Sequence, residues 1–458
     1  MRFTRHATAW LGALFGAGCS LLVEFPECAE SRDCMPGWDC VAAVCVESGE
    51  LEVVEVAEAI RADAEWTADR VYRLKGEIFV EPGKTLTIRA GTTIQGDEGS
   101  ALIVRRGARL EARGNVHAPI VFTSSRPAGE RLPGDWGGVT LMGSAAVNEP
   151  GAVLEGVGDA AAAVYGGDDD GSSCGVLEYV RIEFAGFAVL KDAELNGLTL
   201  AGCGAGTVVD HVQVHLAKDD GLEIFGGAVG LRHVLITRPQ DDGLDWDRGW
   251  HGTGQFVAIV QDELGDNGIE ADNWTDMPDA EPRSRPVIYN LTAVSSGAGS
   301  QRGVTFKEGT GGAINNAVFV GHSLEAIDVR GAETVAQMMQ RRLTVEHALF
   351  FKIGAGGSHF FPTPEDEQTM TPEDGRDDDA SFDEDAFLRD PSHGHRFGVD
   401  PQLVDPFNRE APDLRPGPIA REGVLMPPPE FDEGALYAGA FAPDGEPWTA
   451  GWTAFPEG

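Results

Sequence analysis

A chain of 458 residues with 42% hydrophobic content carries enough apolar material for a substantial core, which excludes general disorder. Its 74 acidic residues against 35 basic ones give a net charge of −39, with no basic stripe to offset it. Phosphate backbones need a cationic footprint, so nucleic acid is excluded as a partner. The acidity fits cation binding, a salty medium or simply a solvated surface.

The chain opens on Arg2, Arg5 and His6, followed by an apolar run from Ala7 to Phe15. That run is too short for a permanent membrane helix and reads as an export signal over residues 1–18. It ends in Gly16-Ala17-Gly18-Cys19, which resembles a bacterial lipobox, with Gly16 where such motifs usually carry Leu. The resemblance implies lipidation at Cys19 and a protein held at the outer membrane or cell surface by a lipid anchor alone. Ser20 fits the outer-membrane pattern.

Residues 19–51 form a Cys-rich spacer. Setting Cys19 aside leaves Cys28, Cys34, Cys40, Cys45, Cys174 and Cys203, an even number. The first four lie in a segment with almost no core-forming residues, and so small a module needs staples. Disulfides in an oxidising compartment would provide them. A four-Cys zinc site is the alternative, although the paired C-x2-C spacing is missing. Cys174 and Cys203 flank one stretch of the main body and are candidates for a further bridge.

From Trp66 onward the chain becomes short apolar-alternating runs broken by Gly, Asn and Asp, such as Leu86-Thr87-Ile88 and Leu102-Ile103-Val104. No helical period crosses them. One strand type recurs as Leu177-Glu178-Tyr179-Val180-Arg181-Ile182, Val209-Asp210-His211-Val212-Gln213-Val214 and Leu231-Arg232-His233-Val234-Leu235-Ile236. Three later copies start at Ile288, Ile314 and Val345. A second type interleaves as Asp219-Asp220-Gly221-Leu222-Glu223-Ile224, Asp241-Asp242-Gly243-Leu244-Asp245-Trp246 and Asp266-Asn267-Gly268-Ile269-Glu270-Ala271, at steps of 22 and 25 residues. A period in the low twenties with short strands predicts a β-solenoid, a right-handed parallel β-helix over residues 52–360. Residues 361–458 read as an acidic loop, with one short helix near Phe382 to Leu388, and an irregular C-terminal cap. The loop is either solvated or a loose calcium binder.

Pro82-Gly83-Lys84-Thr85-Leu86-Thr87-Ile88, Pro119-Ile120-Val121-Phe122-Thr123-Ser124 and Trp136-Gly137-Gly138 resemble the first coils of bacterial surface β-helix lipoproteins. Tyr437-Ala438-Gly439-Ala440-Phe441 and Trp448-Thr449-Ala450-Gly451-Trp452 look like the C-terminal cap of the same family. The resemblance implies a pectin-lyase-like shape and leaves the activity open.

Stacking the coils about 4.8 Å apart turns the Asp-rich copies into columns. Asp220, Asp242 and Asn267 share a turn position. Leu222, Leu244 and Ile269 point inward, while Glu223, Asp245 and Glu270 point outward as a second column. Asp247 and Asp272 begin a third, which Lys307 and Arg330 continue. Like charges about 5 Å apart repel by roughly 3 kcal/mol at an effective dielectric near 20. Relief comes from shared protons, from a cation or from screening. Shared protons would suit glycosidic acid–base chemistry. A cation would be calcium, because all ligands are hard oxygens, with Asp242, Asp245, Asp247, Asp266 and Glu270 as the candidate set. Screening alone would need no function.

Polygalacturonases, themselves parallel β-helices, carry Asn-Thr-Asp-Gly, Asp-Asp, Gly-His-Gly and Arg-Ile-Lys on successive coils. Lys218-Asp219-Asp220-Gly221 and Gln240-Asp241-Asp242-Gly243 are similar to the first two. That resemblance implies Asp220, Asp241 and Asp242 as catalytic carboxylates. Lys307 matches the end of the last motif, with Thr305 where Arg would lie. Asn267 stands at the His position, for which His251 is a loop substitute. The missing His and Arg put true polygalacturonase activity in doubt, and Asp-Gly pairs are good turn formers in any case.

Trp246 alternates inward, whereas Trp250 and Trp274 fall in loops where a ring could stack on a sugar. With Glu223, Asp245, Asp247, Glu270 and Asp272 they make up the expected binding face. His211, His233 and His347 share a position with Tyr179, Asn290 and Asn316, which reads as a tolerated ladder position rather than a metal site. Two functions remain: a surface lipoprotein engaging glycan or calcium through its acidic face, or a polysaccharide-degrading glycosidase.

Overall fold

The structure is a computed structural model that describes residues 38–41, 44–47, 51–190, 193–363 and 382–458. It divides into two compact units, residues 1–48 and 49–458. In the first, Trp38–Val41 pairs antiparallel with Val44–Glu47, which sets Cys40 opposite Cys45. Cys19, Cys28 and Cys34, with the expected signal segment, lie outside the described residues.

The second unit is the right-handed parallel β-helix that the repeat predicts. One face is a nine-stranded parallel sheet running from Glu77–Val80 to Ile327–Val329. The remaining strands form two further faces that meet along a corner. Gly175–Glu183 shows how: its first half pairs with Arg109–Arg113 and its second with Ile120–Ser124. The runs read as single strands from sequence are therefore bent in the middle. The bend falls on Tyr179, His211, His233, Phe256, Asn290, Asn316 and His347, all with φ between 48° and 61°. A left-handed residue breaks the period-two alternation, which is why Leu177 and Val180, three apart, both point inward.

Inside, equivalent residues stack coil on coil. Leu198, Leu222, Leu244, Ile269, Val304 and Ile327 form one such row, each fully buried. Each contributes roughly 1.5–3 kcal/mol of burial before the entropy of ordering is set against it. The buried disulfide Cys174–Cys203 lies in this core, with Cα atoms 5.7 Å apart.

Two irregular segments cover outer faces that would otherwise be apolar. An insertion over residues 144–171 lays Leu154 and Tyr165 against Ile103, Met142, Ala201 and Phe225 of the nine-stranded sheet. This is why Leu102, Ile103 and Val104 are all buried instead of alternating. The C-terminal segment runs back along the flank of the solenoid. Its Ala438, Ala440 and Phe441 cover Leu235, Ala258, Val294 and Val318, and Gln213 donates to the Ala454 carbonyl at 2.7 Å. The expected cap is thus a lateral strap. The last coils are closed by stacked Phe319, Phe350 and Phe397. The short helix expected near Phe382 to Leu388 is present as Glu384–Leu388.

Candidate functional site

The outer face of the nine-stranded sheet changes character along its length. Where the 144–171 insertion lies on it, the outward residues are apolar. Beyond Phe225 the apolar cover ends and the outward residues become charged, while Asn148 of the insertion still bonds to Asn273 at the edge. The register reproduces the expected columns: Glu223 pairs with Asp245, Asp245 with Glu270, Glu270 with Thr305 and Thr305 with Asp328. Phe225 pairs with Asp247, and Ala271 with Phe306, which sets Asp272 and Lys307 in the neighbouring column.

The first column is tied to the backbone. The Asp242 amide donates to Asp220 Oδ1 at 2.9 Å, and the Asn267 amide donates to Asp242 Oδ1 at 2.6 Å. The Thr305 hydroxyl donates to Asn267 Oδ1 at 2.7 Å. Each side chain thereby fixes the turn of the next coil, while Gly221, Gly243 and Gly268 let the main chains approach.

Cations neutralise one end of the strip. Lys307 Nζ lies 2.8 Å from Glu270 and 3.4 Å from Asp272. Arg302 bridges Glu325 at 3.0 Å and Asp328 at 2.9 Å, and Arg330 joins Asp328 at 2.9 Å. Arg248 pairs with Asp247 and reaches Glu149 of the insertion at 2.6 Å. Burial works against the Lys307 charge, but Asp272, Glu270 and Asp245 hold its pKa above the usual lysine value.

In the middle of the strip carboxylates crowd against one another. Asp220, Glu223 and Asp245 each bring a carboxylate oxygen within 4.8 Å of the others, and so do Asp219, Asp220 and Asp241, and Asp241, Asp242 and Asp266. Asn196 donates to Glu223. Asp245 Oδ1 is buried with no hydrogen-bond partner. Burial first, and neighbouring carboxylates second, push Asp220, Glu223, Asp242 and Asp245 well above the ordinary carboxylate range. Burial also raises Asp272 and Asp266, and lifts Asp247 to about 6 against the pull of Arg248.

Residues 58–376 match the model of a pectate-lyase-like β-helix domain. The chain belongs to this family. It matches no curated protein and no solved structure. Membership gives the coarse functional statement, a polysaccharide-related role, and the strip is where half-buried and buried carboxylates concentrate on the outer face of the nine-stranded sheet.

The structure sorts the residues singled out in the sequence. Asp241 lies between the other two acids of the motif resemblance, grouped with Asp219 and Asp220 on one side and with Asp242 and Asp266 on the other, so the three do not form a single cluster. The candidate calcium set Asp242, Asp245, Asp247, Asp266 and Glu270 does not form one cage. Asp242 and Asp266 group with Asp241, Asp245 groups with Asp220 and Glu223, and Asp247 and Glu270 are claimed by Arg248 and Lys307. Lys307 belongs to that ion-pair network. His251 does not stand in for the missing histidine. It follows the strand Leu244–Asp247 that Asp241 and Asp242 precede, and its ring faces Asp170 at 3.2 Å and the Gly249 carbonyl at 2.8 Å.

Trp250 is not available to a sugar. It is fully buried beside Trp246, its Nε1 donating to the Val229 carbonyl at 3.0 Å. Its loop position gave no sign that the ring turns into the solenoid. Trp246 is core, as its alternation predicts. Trp274 is partly exposed at the edge of the strip, under the Arg248 guanidinium. Arg248 and Arg302 also belong to the strip, outside the columns expected from the repeat. Arg302 stands directly before Gly303 as Asp220 stands before Gly221, a signal that was present in the repeat.

Proposed function

We propose that the protein is an exported, Cys19-anchored surface lipoprotein whose acidic strip engages an acidic polysaccharide through calcium. The observation that carries this reading is Asp245 Oδ1, buried and without a hydrogen bond, beside the carboxylates of Asp220 and Glu223. A hard-oxygen donor set with an orphaned oxygen fits calcium, which takes six to eight such ligands. Asp220, Glu223 and Asp245 would supply the protein's share, and sugar hydroxyls or uronate oxygens the rest. The calcium would supply the positive charge that a uronate chain needs. Without a cation, a strip this acidic repels uronates and would accept only neutral glycans.

A glycosidase using Asp220, Asp241 and Asp242 is the second reading, favoured by the exposed position of Asp241 among the three. Inverting hydrolysis wants carboxyls about 6.5–9.5 Å apart and retaining hydrolysis about 5–5.5 Å. Asp241 has an oxygen within 4.8 Å of Asp220 and, separately, of Asp242, so the three do not present one opposed pair across a bond. Asp220 and Asp242 are also already engaged by main-chain amides.

The test is thermal unfolding of the full chain in EDTA and in calcium, followed by retention on immobilised polygalacturonate under both conditions. The expected result is a calcium-dependent rise in Tm and calcium-dependent retention, both lost in Glu223→Gln with Asp245→Asn. Equal melting with and without calcium removes the cation from the site. Release of reducing sugar that disappears in Asp241→Asn would establish the second reading instead.

A further inference from the structure

At the corner between the two bent faces, well away from the acidic strip, histidines from adjacent coils converge on one carboxylate. Asp210 pairs with Arg232 and Val212 with Val234, so His211 and His233 occupy equivalent positions one coil apart. Their rings stack with centroids 4.3 Å apart. The Nδ1 atom of each lies 2.8 Å from the same oxygen, Asp210 Oδ1. Trp448 and Trp452 of the C-terminal strap pack their ring edges against His211, and Trp448 also lies 5.3 Å from His233. The three side chains remain partly open to solvent, at 17%, 16% and 30% for His211, His233 and Asp210.

Stacking alone does not call for this carboxylate. The corner position also accepts Tyr179, Phe256, Asn290 and Asn316, and none of these needs an acid beside it. His347 occupies the same position and simply bonds to the Gly423 carbonyl at 2.7 Å. Only between His211 and His233 do two ring nitrogens share one carboxylate oxygen among the described residues, and one ligand atom from each of the three residues lies within 4.8 Å of the others.

We propose that Asp210, His211 and His233 bind a divalent transition metal of the zinc type, pinning two coils together beneath the strap. Two imidazole nitrogens and one carboxylate oxygen are a borderline donor set, which selects zinc-like ions over calcium or magnesium. Bonds of about 2.0–2.1 Å in tetrahedral geometry put the ligand atoms about 3.3 Å apart. The present 2.8 Å contacts must therefore open by about half an ångström, a side-chain adjustment. The fourth position is left for water.

The fold itself supplies the control. Asn occupies this corner with a left-handed backbone at Asn290 and Asn316, so His211→Asn with His233→Asn keeps the conformation and removes both nitrogen ligands. The full chain, without a polyhistidine tag, is titrated with cobalt(II) and then with zinc(II). The expected result is one equivalent of cobalt with tetrahedral visible absorption and quenching of Trp fluorescence, both reversed by zinc. Zinc in hundredfold excess over Kd should raise Tm by about 3 °C or more. The Asn double variant and Asp210→Asn should lose the absorption and the shift while melting cooperatively without metal. Glu223→Gln with Asp245→Asn should keep both, which separates this site from the calcium reading. Absence of the cobalt band from the unmodified protein, or its survival in the Asn double variant, overturns the proposal.

Discussion

Asp220 and Asp242 are joined across one coil by a hydrogen bond in which the Asp242 amide donates to the Asp220 carboxylate at 2.9 Å. Asp242 repeats the arrangement towards Asn267 at 2.6 Å. The two acids thus combine a structural task, accepting a buried amide, with mutual repulsion. These separate on mutation. Asp242→Asn keeps an acceptor oxygen and removes a charge, as Asn267 already does one coil on, so its stability in EDTA should equal or exceed that of the parent. Asp242→Ala strands the Asn267 amide and should lose about 1–3 kcal/mol. Urea midpoints at pH 7 decide between these outcomes, and equal losses for both variants would contradict the amide role.

Lys307 is the counter-charge for two columns at once, through Glu270 and Asp272. Removing one partner of a buried pair costs about 3–5 kcal/mol, and partial exposure here reduces that to roughly 1–3 kcal/mol. Lys307→Met should therefore destabilise the protein, and adding Glu270→Gln should recover part of the loss. A double variant no more stable than Lys307→Met alone would show that Glu270 is not held by this pair. The readout is the denaturant midpoint in both variants.

The columns were legible because a β-solenoid translates spacing directly into register. Once Gly221, Gly243 and Gly268 are aligned, Glu223, Asp245 and Glu270 must stack. What the repeat did not carry is whatever depends on segments outside it. Leu102-Ile103-Val104 alternates as a half-exposed strand would, yet the 144–171 insertion buries its outer residue as well. Trp250 looks like a loop aromatic, but the turn it belongs to delivers the ring into the core. His211 and His233 were visible as a column, whereas their convergence on Asp210 depends on a left-handed bend that alternation alone does not reveal. The same bend is encoded as an inward spacing of three, as in Leu177 and Val180.

The strap depends on Trp448, which stacks on Phe441 at 4.9 Å and donates from Nε1 to the Ala440 carbonyl at 2.9 Å. It covers an outer face whose Leu235, Ala258 and Val294 would otherwise meet water. Trp448→Ala should cost about 3 kcal/mol, the low end for a large aromatic because the ring is only partly buried. Detachment should also appear as faster proteolytic cleavage within residues 412–458, with the remaining body resistant. Unchanged cleavage kinetics in metal-free buffer would mean that the strap is held mainly by its hydrogen bonds, such as those of Asn290 to the Tyr437 carbonyl and Gln213 to the Ala454 carbonyl.

His322 gives the protein an acid liability that has nothing to do with its carboxylates. The ring is fully buried near Phe319, and neither nitrogen has a hydrogen-bond partner. Burial pushes its pKa down to about 3 from the usual 6.5. Between those values the unfolded chain binds a proton that the folded chain refuses, so stability is full above pH 6.5 and falls as pH drops towards 3. The slope is at most one proton, about 1.4 kcal/mol per pH unit. The buried acids of the strip act with the opposite sign, since their raised pKa values favour the folded state at lower pH. The total profile therefore hides the histidine, and only a difference isolates it. Urea unfolding of the parent and His322→Leu at pH 7, 6, 5 and 4 should show the variant gaining steadily on the parent as pH falls. Parallel profiles would mean that the unfolded and folded chains protonate His322 alike, which a partnerless imidazole in this position cannot do.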